Sequence, residues 1–201
     1  ADTLRTYEMF IGDFEKPAPW SDDSVKGCKR FLERVYNMTE MLIDGDECRP
    51  DMASKIHKTI KKVNDDIESM KFNTAIAALM TLINDIYAKG SVNKAELSIF
   101  IRLLCPIAPH ICEEMWEKIG GEGFASMAEW PKFDADKLVD DTIELPIQIQ
   151  GKMRGKIIVP VDCDEADAVE LAKKEVADKI EGKAIVKVIY IKNKILNIIV
   201  K

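Results

Sequence analysis

Lys152, Arg154 and Lys156 stand at every second position of one short run, and they are the residues whose type and spacing point most directly to chemistry. On a continuous strand a period of two puts all three on one face. A hydrophobic core cannot accept such a line of cations, so that face meets either solvent or a polyanion. Lys192 and Lys194 flank a later turn, and Lys187 lies on the strand before it. Several cations spread over a small rigid sheet suit phosphate contacts, which fix the position of a nucleic acid without reading its bases. The alternative is a plain solvated sheet face. A second group, Lys55, Lys58 and Lys62, recurs at helical steps with Lys61 beside it. It forms either a basic ridge or the ordinary surface of a solvated helix, and Asp65, Asp66 and Glu68 follow it.

Other chemistries find less support. Cys105, His110 and Cys112 lie close together, but zinc needs four converging ligands and no second Cys or His pair is at hand. The segment around them is apolar (Ile101, Leu103, Leu104, Ile107, Ile111), which favours a buried structural role. The carboxylate pairs Asp22-Asp23, Asp65-Asp66, Glu113-Glu114 and Asp140-Asp141 read as surface charge rather than as an acid–base couple. Neither phosphate-cradling glycine motif occurs, and Gly151 and Gly155 sit between strands rather than before a helix. Trp20, Trp116 and Trp130 read as core or linker anchors rather than platforms for stacked bases. No catalytic residue, metal ligand or cofactor is expected in this chain.

The elements that must position these residues change character once. Residues 1–130 read as an up-and-down helical bundle. Helices are expected over 2–10, from Ser21 or Asp22 to about Ile43, over 51–70, over 72–88, and from Ser91 or Asn93 to Ile119. Pro106 and Pro109 interrupt the last of these. The helix from Asp51 shows a stripe of Met52, Ile56, Ile60, Val63, Ile67 and Met70 in steps of three and four. Residues 131–142 read as a linker. From 143 the apolar period becomes two: Ile143, Leu145, Ile147 and Ile149 alternate with polar neighbours and Pro146. Gly151-Lys152 is the expected hairpin turn. Asp162 and Glu165 suggest a capped helix over 164–180, and strands follow over 184–191 and 195–200. The expected fold is therefore α+β and mainly helical, with a ββαββ domain over 143–201 behind the bundle.

Composition narrows the field. With 47% hydrophobic and 32% charged residues, the chain can fill a core and keep a solvated surface. No apolar run spans a bilayer, and residues 1–15 show no signal-peptide pattern. The start at Ala1-Asp2-Thr3 leads to the expectation of a piece of a longer polypeptide. Five cysteines without a CxxC pair suit a reducing, cytoplasmic setting. The net charge of −6 argues against nucleic acid until its distribution is considered. Residues 1–142 hold 18 basic and 26 acidic side chains, whereas residues 143–201 hold 11 and 9. The front is acidic and the tail mildly basic.

Several strings are those of a known family. Residues 1–10, ADTLRTYEMF, resemble the segment just after the catalytic core of leucyl-tRNA synthetases. Pro19-Trp20-Ser21, Arg30-Phe31-Leu32-Glu33-Arg34-Val35, the FNTAIAALM string at 72–80 and the APHICEEMWE string at 108–117 continue the match. Gln150-Gly151-Lys152-Met153-Arg154-Gly155-Lys156 and Val186-Lys187-Val188-Ile189-Tyr190 look like the bacterial-type C-terminal domain. One departure is the last turn, Lys192-Asn193-Lys194, where the family usually has Pro-Gly-Lys; Asn tolerates the left-handed backbone that a tight turn needs.

The resemblance implies a parent enzyme that joins leucine to its tRNA with ATP and magnesium, through an adenylate. The HIGH and KMSKS signatures of such enzymes do not occur here. This piece would then be the anticodon-binding-type bundle plus a C-terminal domain that reaches the tRNA elbow. Its partners would be leucine tRNA and the upstream catalytic core, without a membrane, in a cytoplasmic monomer. Lys152, Arg154 and Lys156 are the first candidates for RNA contact, followed by Lys187, Lys192 and Lys194, and then by Lys55, Lys58 and Lys62. Two rival expectations are a purely structural or protein-binding module and a metalloenzyme built on His110.

Overall fold

The computed structural model describes residues 1–12, 16–138, 142–180, 182 and 184–201, with the backbone alone at Thr142. The chain divides into two compact units, Ala1–Leu138 and Val139–Lys201. Asp140-Asp141 and part of the expected 131–142 linker lie outside the described residues. Among the described residues no helix is long and apolar enough to cross a membrane.

The first unit is helical: α1 (Asp2–Phe10), α2 (Asp22–Asn37), α3 (Pro50–Glu68), α4 (Phe72–Lys89), α5 (Lys94–Leu104) and α6 (Pro109–Lys118). Ser21 caps α2 by accepting the Ser24 N–H. Pro50 opens α3 at a position where no amide hydrogen is needed. The α3 stripe is buried at Met52, Ile56, Ile60 and Val63, against Ile76, Leu79, Ile83 and Ile86 of α4 in one core. Met70 is not part of that stripe. It follows the helix end with a φ of 58° and is 64% exposed. The expected extension of α2 to Ile43 also fails. The chain turns through Met38–Met41 into β1 (Leu42–Ile43), which pairs in parallel with β2 (Val92–Asn93) just before α5.

Asn93 and Glu96 form a capping box at the start of α5, and Asn93 also donates to the Glu47 carbonyl. Glu96 has a fully buried side chain and accepts three hydrogen bonds from Arg49, through its amide, Nε and Nη2, at 2.8–2.9 Å. The long helix expected to Ile119 is two helices, because Pro109 cannot continue α5 and instead starts α6. Residues 131–138, expected within the linker, lie on α3. Asp134 donates its amide hydrogen to Nδ1 of His57 at 2.9 Å, and Trp130 donates Nε1–H to Asn64 at 2.6 Å.

The second unit is a four-stranded mixed sheet with helices on one face. Its strands are β3 (Thr142–Ile149), β4 (Lys152–Pro160), β5 (Ile185–Ile191) and β6 (Ile195–Val200), in the order β4-β3-β6-β5. The outer pairs are antiparallel and the central β3–β6 pair is parallel. The expected helix over 164–180 is divided into α7 (Glu165–Glu175) and α8 (Ala177–Ile180). Leu145, Ile147, Val159, Leu196 and Ile198 bury their side chains against Ala168, Ala172 and Val176. Small alanines on α7 let the helix approach the sheet closely. Asp162 is not the helix cap. Asp164 takes that position, while Asp162 has a φ of 64° and exchanges hydrogen bonds with Asn193.

Candidate nucleic-acid interface

The hairpin between β3 and β4 turns at Gln150-Gly151, where φ is +51° and +78°. Two consecutive positive φ values favour the right-handed twist of a tight hairpin, and glycine takes the second of them without strain. Lys152, expected in the turn, is the first residue of β4. The pairing then slips. Ile149 faces Lys152 and Gln148 faces Met153, but Ile147 faces Gly155. Arg154 is the extra residue of a β-bulge, which shifts the alternation by one. Lys152 and Gly155 therefore lie in rows with the helix-side residues Ile149 and Ile147, whereas Met153 and Lys156 lie in rows with Gln148 and Pro146. The single cationic line expected from Lys152, Arg154 and Lys156 does not exist, because an extra residue interrupts the period of two.

The bulge brings other cations together. Lys179 of α8 donates from Nζ to the Arg154 carbonyl at 2.8 Å, an acceptor on the bulge residue itself. Gly155 lies closely under the end of α7, where an added Cβ would sit 3.2 Å from Val176 Cγ1 and 3.4 Å from Glu175 Cγ. The result is a groove of about 570 Å³ lined by Lys152, Arg154, Lys179 and Lys201, with Asp178, Gln150 and two apolar residues. The lining side chains include four cations and one carboxylate, and Lys179, like Lys58, has a further interaction of its own, so the groove suits an anion chiefly through Lys152, Arg154 and Lys201. Lys179 and Lys201 were not singled out from the sequence. Lys179 sits in a mixed-charge helix, and only the bulge contact distinguishes it.

The other expected contacts do not join this groove. Lys156 is on the opposite sheet face and pairs with Glu144 at 3.0 Å. Lys187 shares a row with Ile199, also away from the helix side, on the far edge strand. Lys192 and Lys194 flank Asn193 in the turn between β5 and β6, where Lys192 lies 3.6 Å from Asp162. On α3, Lys55 pairs with Asp85 and Lys62 with Asp66, Lys61 pairs with Asp65, and Lys58 is engaged as well. The α3 ridge is therefore largely neutralised by its own neighbours. A second depression, of about 830 Å³, is lined by Glu113, Glu114, Glu117, Lys118 and Phe124. Its charge repels a polyanion.

The candidate metal residues are used structurally. His110 Nδ1 lies 2.8 Å from an Asp2 carboxylate oxygen, and the other oxygen accepts the Ile111 amide at the start of α6. Burial raises the Asp2 carboxyl, but the bonds from His110 and Ile111 outweigh it and hold it below its ordinary value. Glu113 likewise accepts the amides of Ala125 and Ser126. Among the described residues no group of three or more His, Cys, Asp or Glu side chains is placed to hold a metal ion.

Comparison with known proteins gives one consistent answer. The family model for the anticodon-binding domain of tRNA ligase matches residues 51–171. A leucine–tRNA ligase of Alkaliphilus oremlandii is 49% identical over the whole of this chain, which covers 25% of that protein. A leucine–tRNA ligase of Bdellovibrio bacteriovorus is 42% identical, again over the whole chain and 26% of the relative. The chain thus spans about a quarter of the length of these curated relatives. Among solved structures, the LeuRS of Agrobacterium radiobacter K84, in a ternary complex with tRNA and LeuAMS, matches with a TM-score of 0.62 and 28% identity. That match covers 100% of this chain and 28% of the solved one.

Proposed function

The chain belongs to the anticodon-binding domain family of tRNA ligases, and from that premise we propose that it is the tRNA-holding C-terminal part of a leucine–tRNA ligase. The relatives that match it end to end carry that name, and the similar solved structure is a complex with tRNA. In this reading the parent protein attaches leucine to its tRNA in the cytoplasm as a monomer, using ATP with magnesium at a site outside this chain. The observation that carries the RNA-binding role is the groove of Lys152, Arg154, Lys179 and Lys201 around the β4 bulge.

The contribution to the reaction is positional. A tRNA held at a remote point loses rotational freedom before its acceptor end meets the active site, and that lowers the entropic part of the barrier. The groove takes phosphodiester groups rather than bases: its lining supplies cations, while Trp20, Trp116 and Trp130 all lie in the other unit. Phosphate contacts set register and affinity without encoding sequence. The test is binding of the 201-residue chain to a leucine tRNA and to a non-cognate tRNA across a salt series. The reading expects comparable binding of both, weakening steeply with salt. Absence of binding even at low salt would overturn it and favour a purely structural module.

A further inference from the structure

The groove lies against the β4 edge of the sheet and leaves the opposite edge without a role. β5 ends the strand order β4-β3-β6-β5, and β6 is its one strand neighbour among the described residues. An edge strand turns the N–H and C=O groups of alternate residues outward, where another strand can take them up. The pairing with β6 slips between Ile185 and Lys187, so the regular part of this edge runs from Lys187 to Ile191. Charged side chains are the usual guard of such an edge, and this stretch holds one cation and no acid.

The side chains add a preference for one kind of strand. Lys187, Ile189 and Ile191 share rows with Ile199, Asn197 and Ile195 on the face away from α7. Ile189 and Ile191 are 38% and 49% exposed, so aliphatic surface borders the open edge. Residues 184–200 contain Lys187, Lys192 and Lys194 and no aspartate or glutamate. Lys192 lies 3.6 Å from Asp162, whereas Lys187 and Lys194 have no carboxylate partner among the described residues.

We propose that β5 takes up an acidic, extended segment of a partner protein as a fifth strand, held by the backbone ladder and selected by these cations and isoleucines. A strand antiparallel to β5 places aliphatic residues opposite Ile191 and Ile189, a carboxylate opposite Lys187, and a second carboxylate toward the Lys192–Lys194 turn. From its N-terminus the segment reads acid, aliphatic, polar, aliphatic, polar, acid. A second copy of this chain is a poor occupant, because pairing β5 with β5 brings two hairpins of the same positive sign together. RNA offers no amide ladder for the strand edge, and its phosphates gain nothing from the aliphatic row.

The test uses the 201-residue chain and a fluorescein-labelled octapeptide in which glutamate, valine, threonine, valine, threonine and glutamate stand between two serines. Anisotropy at low salt should show saturable binding, and amide exchange should slow within residues 187–191. Two versions of the peptide, N-methylated at one or the other set of alternate residues, keep every charge and side chain. One of them should bind at least about tenfold more weakly and the other should not, because only one set of amides can face β5. Lys187 is exposed, and Lys187→Glu should weaken binding at least about threefold, with recovery when the peptide's glutamates become lysines. Leucine tRNA should leave the peptide bound, since its groove borders the other edge strand. No binding at low salt, or equal binding of the two N-methylated peptides, would overturn the proposal. So would displacement of the peptide by tRNA, which would give the hairpin to RNA, and capture of the chain by phosphatidylglycerol vesicles without binding of the peptide, which would give it to a lipid surface.

Discussion

Replacing Lys152 and Arg154 together by alanine removes two of the four cations lining the groove, while Lys156→Ala removes a cation that faces the other side of the sheet and already pairs with Glu144. The difference can be put in numbers. If each groove cation neutralises one phosphate, log K falls with log salt by about 0.7–0.9 per cation. Four cations then cost about 50- to 150-fold in affinity between about 50 and 200 mM salt, and the two that remain cost about 7- to 12-fold. The Lys156→Ala chain should follow the wild type, because an exposed cation that already has a carboxylate partner releases few counterions on binding. The assay is fluorescence anisotropy with labelled leucine tRNA at five or more salt concentrations. A Lys156→Ala slope as shallow as that of Lys152→Ala would refute the bulge argument, since it would restore the straight strand on which all three cations act alike. A double variant with an undiminished slope would refute the groove itself.

Other expectations follow from the same residues. Glu96→Ala leaves Arg49 without its carboxylate and opens the capping box of α5, so urea unfolding should show a loss of about 3–5 kcal/mol. Gly155→Val places side-chain carbons against Val176 and Glu175 and should lose about 1–3 kcal/mol in the same measurement. His57 is buried and accepts the Asp134 amide, and burial, then Lys137, lower its pKa below the ordinary 6.5 while Asp134 opposes them. The unfolded chain therefore takes up this proton first, so the stability from His57 is full above pH 6.5 and is lost as pH falls from there through the folded value. A protonated Nδ1 cannot accept a hydrogen bond, so amide exchange at Asp134, corrected for its intrinsic pH dependence, should accelerate on acidification; unchanged protection down to the folded pKa would contradict this.

The fold class was legible because it rests on period. The α3 stripe repeats at three and four, and the run from Ile143 repeats at two, so the change from bundle to sheet stands out in the residues themselves. The break at Pro109 was legible for a local reason, the missing amide hydrogen. What could not be read was whatever depends on a partner distant in sequence. The bulge at Arg154 is one extra residue relative to β3, and a strand read alone has no register. Lys179 gains meaning only through the Arg154 carbonyl, 25 residues away. Lys55 looked available because Asp85, its partner, lies on another helix. The capping role given to Asp162 failed for the same reason, since Asn193 holds it in place. The family, by contrast, was recognisable from contiguous strings, and the match over residues 51–171 agrees with them.

Amide hydrogen exchange of the 201-residue chain, with and without leucine tRNA at low salt, tests the central claim most directly. The account predicts slowed exchange at residues 150–155, at 177–180 and at the end of β6, with the exposed face of α3 from Lys55 to Lys62 unchanged. Protection along α3 with none around the bulge would contradict it, because the RNA would then be held by the bundle and not by the groove.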